Sequence, residues 1–299
     1  LVASRISAAG VLLDPGPKQL VPETYYLRGG FHLAYAGGVF LLAFEESMTG
    51  SDPTTAIRFD SNLNKLDPAP YSLNGSPFSR MISNGSNFYA VWSEQLPDFT
   101  TAIKGSRIGT NGQKLDGTGV NISGPNPPAA YTATSVAWDG TYWKVTWGSA
   151  TGTRIARVNA AGQVLDPGGI VVAGAKTGIS ASAGNGTVQL TWEEYTASTT
   201  DVFATNISAS NSAGPTRTLS IGVPSQIKPD MAASGNGYMI VYRSATSARL
   251  RILAQPLDLN GNATTAEPFE LDNVDASASL GYPNVAWNGS LYMVTWNNA

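Results

Sequence analysis

Eight carboxylates stand where short apolar runs end. Glu45, Glu46, Glu94, Glu193 and Glu194 come directly after the aromatic residues that close those runs, and Asp52, Asp98 and Asp201 follow within the same polar stretches. Cleavage of a glycosidic bond needs two carboxyl groups a fixed distance apart, one acting as acid and the other as base or nucleophile. Glu94 and Glu193, with Arg80 and Asp230, are the residues that such chemistry would use in this chain. The competing reading is solvated loop charge, because adjacent glutamates point to opposite sides of an extended chain. Other chemistries are excluded more firmly. The chain has no cysteine and one histidine, His32, so thiolate and histidine-rich metal sites are ruled out. No Asp-x-Asp-x-Asp-Gly calcium loop and no Gly-x-Ser-x-Gly elbow occurs. No metal and no cofactor is expected, and His32 reads as a hydrogen-bonded residue near a channel rim.

The elements that must carry these residues form a repeat. The aromatic stops are Phe44, Trp92, Trp147, Trp192, Tyr242 and Trp296, spaced by 48, 55, 45, 50 and 54 residues. Counting through the two termini, from Trp296 round to Phe44, gives a further step of 47. A period of about 50 residues is that of propeller blades. Each copy begins with a hairpin such as Met81 to Trp92 around Asn84-Gly85, or Val136 to Trp147 around Asp139-Gly140. These Asn-Gly and Asp-Gly steps favour tight turns. The second strand of each hairpin is apolar on both faces, as a strand between two neighbouring sheets must be. A second hairpin completes four strands per copy. In four copies an Arg precedes an Asp by nine residues, at Arg5 and Asp14, Arg58 and Asp67, Arg107 and Asp116, and Arg157 and Asp166. A two-residue loop at Ala9-Gly10 or Asn111-Gly112 would set each pair directly opposite, where unlike charges stabilise register by about 0.2–1 kcal/mol.

The repeat phrase, Trp-Asn/Asp-Gly-x-x-Tyr-x-Val-x-Trp followed by Arg-Val-x-x-x-Gly-x-x-Leu-Asp-Pro, resembles uncharacterised propeller repeats of bacterial extracellular proteins. The resemblance covers the whole chain and implies an all-β, six-bladed β-propeller with four antiparallel strands per blade. The N- and C-terminal hairpins would close the last blade in a velcro arrangement. One domain, 1–299, is expected, with blades near 24–74, 75–124, 125–174, 175–223 and 224–273, and a last blade from 274–299 plus 1–23. Neither the WD-repeat signature nor the sialidase Asp-box is present.

Binding residues are sought where the repeats differ. Alignment on the inner turns gives one channel-side position as Leu33, Arg80, Ser135, Ser180, Asp230 and Asn284. Arg80, Ser135, Asp230 and Asn284 are therefore candidates, with His32 beside them. The loop carboxylates Glu45, Glu94 and Glu193 and the non-repeating aromatics Phe99, Tyr131 and Tyr195 complete the set. The repeated aromatic stops read as core, since such rings bury large areas. Sparse charge (13% Asp, Glu, Lys and Arg) and a net charge of −3 exclude a nucleic-acid partner, which needs a basic footprint. No apolar run reaches membrane-spanning length. The first expectation is a non-catalytic extracellular binding module that recognises a glycan or protein through top-face loops. The alternatives are a polysaccharide-active hydrolase or lyase using the top-face carboxylates, and a structural domain of a larger surface protein. A monomer, secreted or at the cell surface or in the periplasm, is expected.

Overall fold

The computed structural model describes residues 1–7, 13–14, 18–21, 27–46, 54–73, 78–124, 130–184, 186–196, 199–220, 225–278 and 280–296. The fold is an all-β propeller type built of four-stranded antiparallel blades. The chain divides into two compact units, residues 19–175 and residues 1–18 with 176–299. The first strands are β1 (Val2–Ser7) and β2 (Lys18–Gln19). Three sheets follow in the first unit. One holds β3 (Leu27–Ala36), β4 (Val39–Glu46), β5 (Thr54–Phe59) and β6 (Tyr71–Ser72). The next holds β7 (Arg80–Ser83), β8 (Phe88–Gln95), β9 (Thr101–Ile108) and β10 (Val120–Asn121). The third holds β11 (Ala130–Trp138), β12 (Tyr142–Ser149), β13 (Gly152–Asn159) and β14 (Ile170–Ala173). In the second unit come β15 (Thr177–Gly184), β16 (Thr187–Thr196), β17 (Thr199–Ile207) and β18 (Arg217–Ser220), then β19 (Ser225–Ser234), β20 (Gly237–Ala245), β21 (Arg249–Leu257) and β22 (Phe269–Asp275). Last are β23 (Asn284–Trp287) and β24 (Leu291–Thr295), in a sheet of order β2-β1-β24-β23. Arg5 pairs with Met293 and Ile6 with Tyr292, so the first and last strands share one sheet as the split repeat requires.

The two-faced strands show why the repeat reads as it does. Along β8, Phe88, Ala90 and Trp92 enter a core shared with Ala34, Leu41 and Ala43 of the preceding sheet. The alternate residues, Tyr89 and Val91, enter a core with Val136, Trp143 and Val145 of the following sheet. β20 behaves alike in the second unit: Tyr238, Ile240 and Tyr242 face one way, and Met239 and Val241 the other. Side chains alternate with period two, so a sheet covered on both sides needs apolar residues at every position. The aromatic stops Phe44, Trp92, Trp147, Trp192 and Tyr242 are all buried, as their repetition predicts.

The Arg–Asp pairs form, with a different geometry from the one their spacing first implies. Ile108 bridges to Lys114 and the Leu115 amide donates to the Arg107 carbonyl, so Leu115, not Asp116, lies opposite Arg107. The same offset pairs Phe59 with Lys65 and Val158 with Val164. The reason is loop length. Gly109 donates to the carbonyl of Gln113 and Gly112 to that of Gly109, so the connection is longer than two residues. Each Asp turns back to accept both its Arg guanidinium and that residue's backbone N–H, at 2.8 Å in Arg58 and 3.0 Å in Arg157. The guanidinium also reaches the next sheet: Arg58 Nη1 donates to the Thr110 carbonyl and Arg107 Nη1 to that of Ala160. The β15–β18 sheet lacks the pair, and there Arg217 donates to the Asn260 carbonyl of the β19–β22 sheet. The Ala9-Gly10 turn lies outside the described residues.

Candidate functional site

The position aligned from the inner turns is set by strand register, and the register changes one of its members. Arg80 pairs with Val91, Ser135 with Thr146, Ser180 with Thr191, Asp230 with Val241 and Asn284 with Thr295. Every partner is the residue just before the aromatic stop. In the β3–β4 hairpin the residue before Phe44 is Ala43, and its partner is His32, while Leu33 pairs with Leu42. The position is therefore polar in each of the hairpins described, and Leu33 is a buried core residue. Alignment on the turns misplaces it by one residue, and a one-residue slip turns a strand over. In four sheets a β-bulge precedes this position, between Leu27 and Phe31, Ala130 and Thr134, Thr177 and Ser180, and Ile227 and Asp230.

Within each unit these polar residues join neighbouring sheets. His32 Nε2 is 2.7 Å from the carbonyl oxygen of Phe78, two residues before Arg80. Asp230 is buried. Its Oδ1 accepts from the Ser180 hydroxyl at 3.1 Å and from the Met231 amide at 2.8 Å, and its Oδ2 accepts from the Val285 amide at 2.9 Å. One carboxylate thus holds three successive inner strands, β15, β19 and β23. Ser135 is buried, and its carbonyl accepts from the Thr146 hydroxyl. Arg80 and Asn284 are half-buried.

The loop carboxylates divide by their partners. Glu193 Oε2 accepts from the Lys228 amide at 3.1 Å, tying β16 to the next sheet at its bulge. Glu194 accepts from Lys176 Nζ at 2.8 Å and from the Trp192 indole at 3.2 Å. Lys176, first among the causes, and Trp192 hold its carboxyl below the usual glutamate range. Glu94 stands in a similar triangle, accepting from Lys104 Nζ at 2.7 Å and from the Trp92 indole at 3.3 Å. A residue two places on projects to the same side of a strand, so the Trp-x-Glu spacing places each acid beside the indole before it. Asp98 caps the Thr100 amide in an exposed turn. Asp201 is buried opposite Glu194, and Glu45 is half-buried opposite Thr54. Phe99 is 82% and Tyr195 70% exposed, on the β8–β9 turn and at the end of β16. Phe99 has a φ of 66°, a conformation that non-glycine residues seldom adopt. Asp52 and the side chains of Glu46 and Tyr131 lie outside the described residues.

Glu94 faces a cavity. A space of about 440 Å³ opens between the β3–β6 and β7–β10 sheets, within the size range of ligand pockets. Its wall includes Tyr71, Trp92, Glu94, Lys104, Gln113 and Lys114. Lys114 Nζ lies 4.9 Å from the centre of the Trp92 ring. Burial, first, and the nearby Lys104 ammonium lower the Lys114 pKa, against the pull of Glu94. The Tyr71 phenol is pushed up to about 12 by burial. Lys104, Lys114 and Tyr71 are not among the residues that sequence reasoning selects. The available signal is register: Lys104 pairs with Trp92 across β8 and β9. No group of three or more potential metal ligands occurs among the described residues.

No protein-family model and no curated protein matches the chain. Solved structures do. The structure named YjhT aligns with a TM-score of 0.54 at 10% identity, over 94% of this chain and 94% of its own. The exo-β-1,3-galactanase of Phanerochaete chrysosporium, solved with galactose, aligns with a TM-score of 0.52 at 10% identity, over 95% of this chain and 74% of its own. The family GH43 endo-arabinanase of Bacillus licheniformis aligns at 0.48 and 15% identity, over 79% and 96%. At these identities the likeness is one of fold. It corrects the order of the readings drawn from the sequence. One propeller matched over nearly the whole chain is an exo-β-1,3-galactanase, a finding that goes against the first expectation, a non-catalytic binding module.

Proposed function

We propose that this protein cleaves a polysaccharide, with Glu94 as a carboxyl group at the reacting centre. The observation that carries the reading is the cavity: a carboxylate held by an indole N–H and an ammonium faces a space large enough for sugar rings. The hydrogen bonds fix its orientation, which a catalytic acid or base needs. The propeller is a scaffold that a galactanase also uses, and it supports the reading without supplying residues. The repeat count and the six four-stranded sheets support closure as a six-bladed ring in one domain. The few lysines, the many Ser, Thr, Asn and Gly residues and a pI near 5.2 fit a secreted or periplasmic setting.

The test is release of reducing ends from a panel of neutral and acidic polysaccharides. Glu94→Gln should lower turnover by about 10²–10⁴-fold, the usual contribution of a general acid or base. The exposed Glu267→Gln should leave it unchanged. Glu45→Gln and Glu193→Gln belong in the same series, since a second carboxyl would reveal itself by a comparable loss. A panel with no turnover, or a Glu94→Gln protein as active as the parent, would sink the proposal.

A further inference from the structure

Building on the reading of the chain as a glycan-cleaving enzyme, we propose that the Glu94 cavity is a subsite for an acidic sugar, a hexuronate whose carboxylate lies between the ammonium groups of Lys104 and Lys114. Among the described lining residues, two side chains are cationic and one is anionic. Glu94 Oε1 is committed to Lys104 at 2.7 Å. Lys114 is held over the faces of Trp92 and Phe78, at 4.9 and 5.8 Å from their ring centres. Its charge is disfavoured there first by lost hydration; Glu94 attracts it, and the Lys104 ammonium repels it by a smaller amount. An incoming carboxylate offsets the lost hydration, because an opposite charge within several ångströms favours the ionised form. A neutral sugar does not. The rest of the wall suits a pyranose: Tyr71 and Trp92 give an aromatic side, while Ser72, Gln113 and Thr118 offer hydrogen-bonding groups for hydroxyls.

The experiment is calorimetric titration of the whole protein with two α-1,4-linked probes that differ only at C6 of each ring, trigalacturonate and the neutral α-1,4-galactotriose. Trigalacturonate should bind at least about tenfold tighter, and added salt should weaken it, as for any interaction between charges. Lys114→Met should remove the preference, and Lys114→Arg should retain most of it. Near-ultraviolet circular dichroism of Lys114→Met should match the parent, which separates a lost contact from a lost fold. Lys104→Met should also weaken the preference; if that variant does not fold, Lys114→Met alone decides the matter. Equal binding of both probes, or a preference that survives Lys114→Met, overturns the subsite. Turnover of neutral polysaccharides alone also overturns it and leaves the proposed activity standing. Tight trigalacturonate binding with no turnover of any polymer does the reverse.

Discussion

Gly169 lies flat against the indole of Trp147. A methyl group on its α-carbon would stand 2.5 Å from the ring, and its φ of 69° is one that L side chains rarely adopt. Gly119 has the same relation to Trp92, with a φ of 97°. In these two sheets the aromatic stop is thus seated by a glycine that arrives from the outer loop.

Gly169→Ala should therefore destabilise the protein on two counts. The left-handed backbone costs an alanine about 1–2 kcal/mol, and forcing a methyl against a buried ring adds about 1–3 kcal/mol. A urea midpoint followed by tryptophan fluorescence measures the sum. An alanine variant with the parent's midpoint would mean that the indole has room to move.

Asp230 should prove to be a scaffold residue. Replacing it with alanine removes the acceptor for the buried Met231 and Val285 amides and the Ser180 hydroxyl. An abandoned buried donor costs about 1–3 kcal/mol, so Asp230→Ala should lose several kcal/mol. Asparagine keeps one acceptor oxygen and should lose less. Thermal unfolding distinguishes these outcomes. Unchanged melting in Asp230→Ala would show that the three inner strands do not depend on it.

Acid should loosen the outer hairpins. The Arg5 guanidinium lowers the Asp14 carboxyl, and Arg157 does the same for Asp166. Burial raises that of Asp116, but the bonds and charge of Arg107 outweigh it. A carboxyl with a folded pKa below its unfolded value of about 3.9 stabilises the fold above that pH. The stabilisation disappears as pH falls through the folded values. Denaturant midpoints should hold from about pH 7 to pH 5 and then drop below about pH 4. Asp116→Asn should reduce that drop; an acid limb of unchanged depth in this variant would argue against the assignment.

Lys144 offers an asymmetric comparison. Its side chain is 1% exposed, 3.6 Å from Asp139 Oδ2, and burial lowers its pKa. Lys144→Met should cost less than about 1 kcal/mol, because apolar replacement of a buried ion is often neutral or better. Asp139→Ala should cost about 3 kcal/mol or more, since it leaves the ammonium buried. It also frees the Thr141 and Tyr142 amides that Oδ1 accepts at 2.9 and 2.7 Å. Equal losses in the two variants would contradict this account.

Much of the architecture was legible in one dimension because burial on both faces writes itself into consecutive residues. The run Phe88 to Trp92 could only be a strand between two sheets, and Trp296 near the end with Val2 near the start could only be parts of one blade. The nine-residue Arg–Asp spacing foretold an ion pair, though not that Leu115 would take the position across from Arg107. Register lay beyond the sequence at His32, where a shift of one residue decides which side chain joins the polar position and which enters the core. The cavity lay further beyond it. Glu94, Lys104 and Lys114 are drawn from a strand, its neighbour and an outer turn, and Tyr71 from the adjoining sheet. Local patterning determines which strands form, because it acts over a few residues. Which charges share a desolvated space depends on how the sheets stack, and only the tertiary structure decides that.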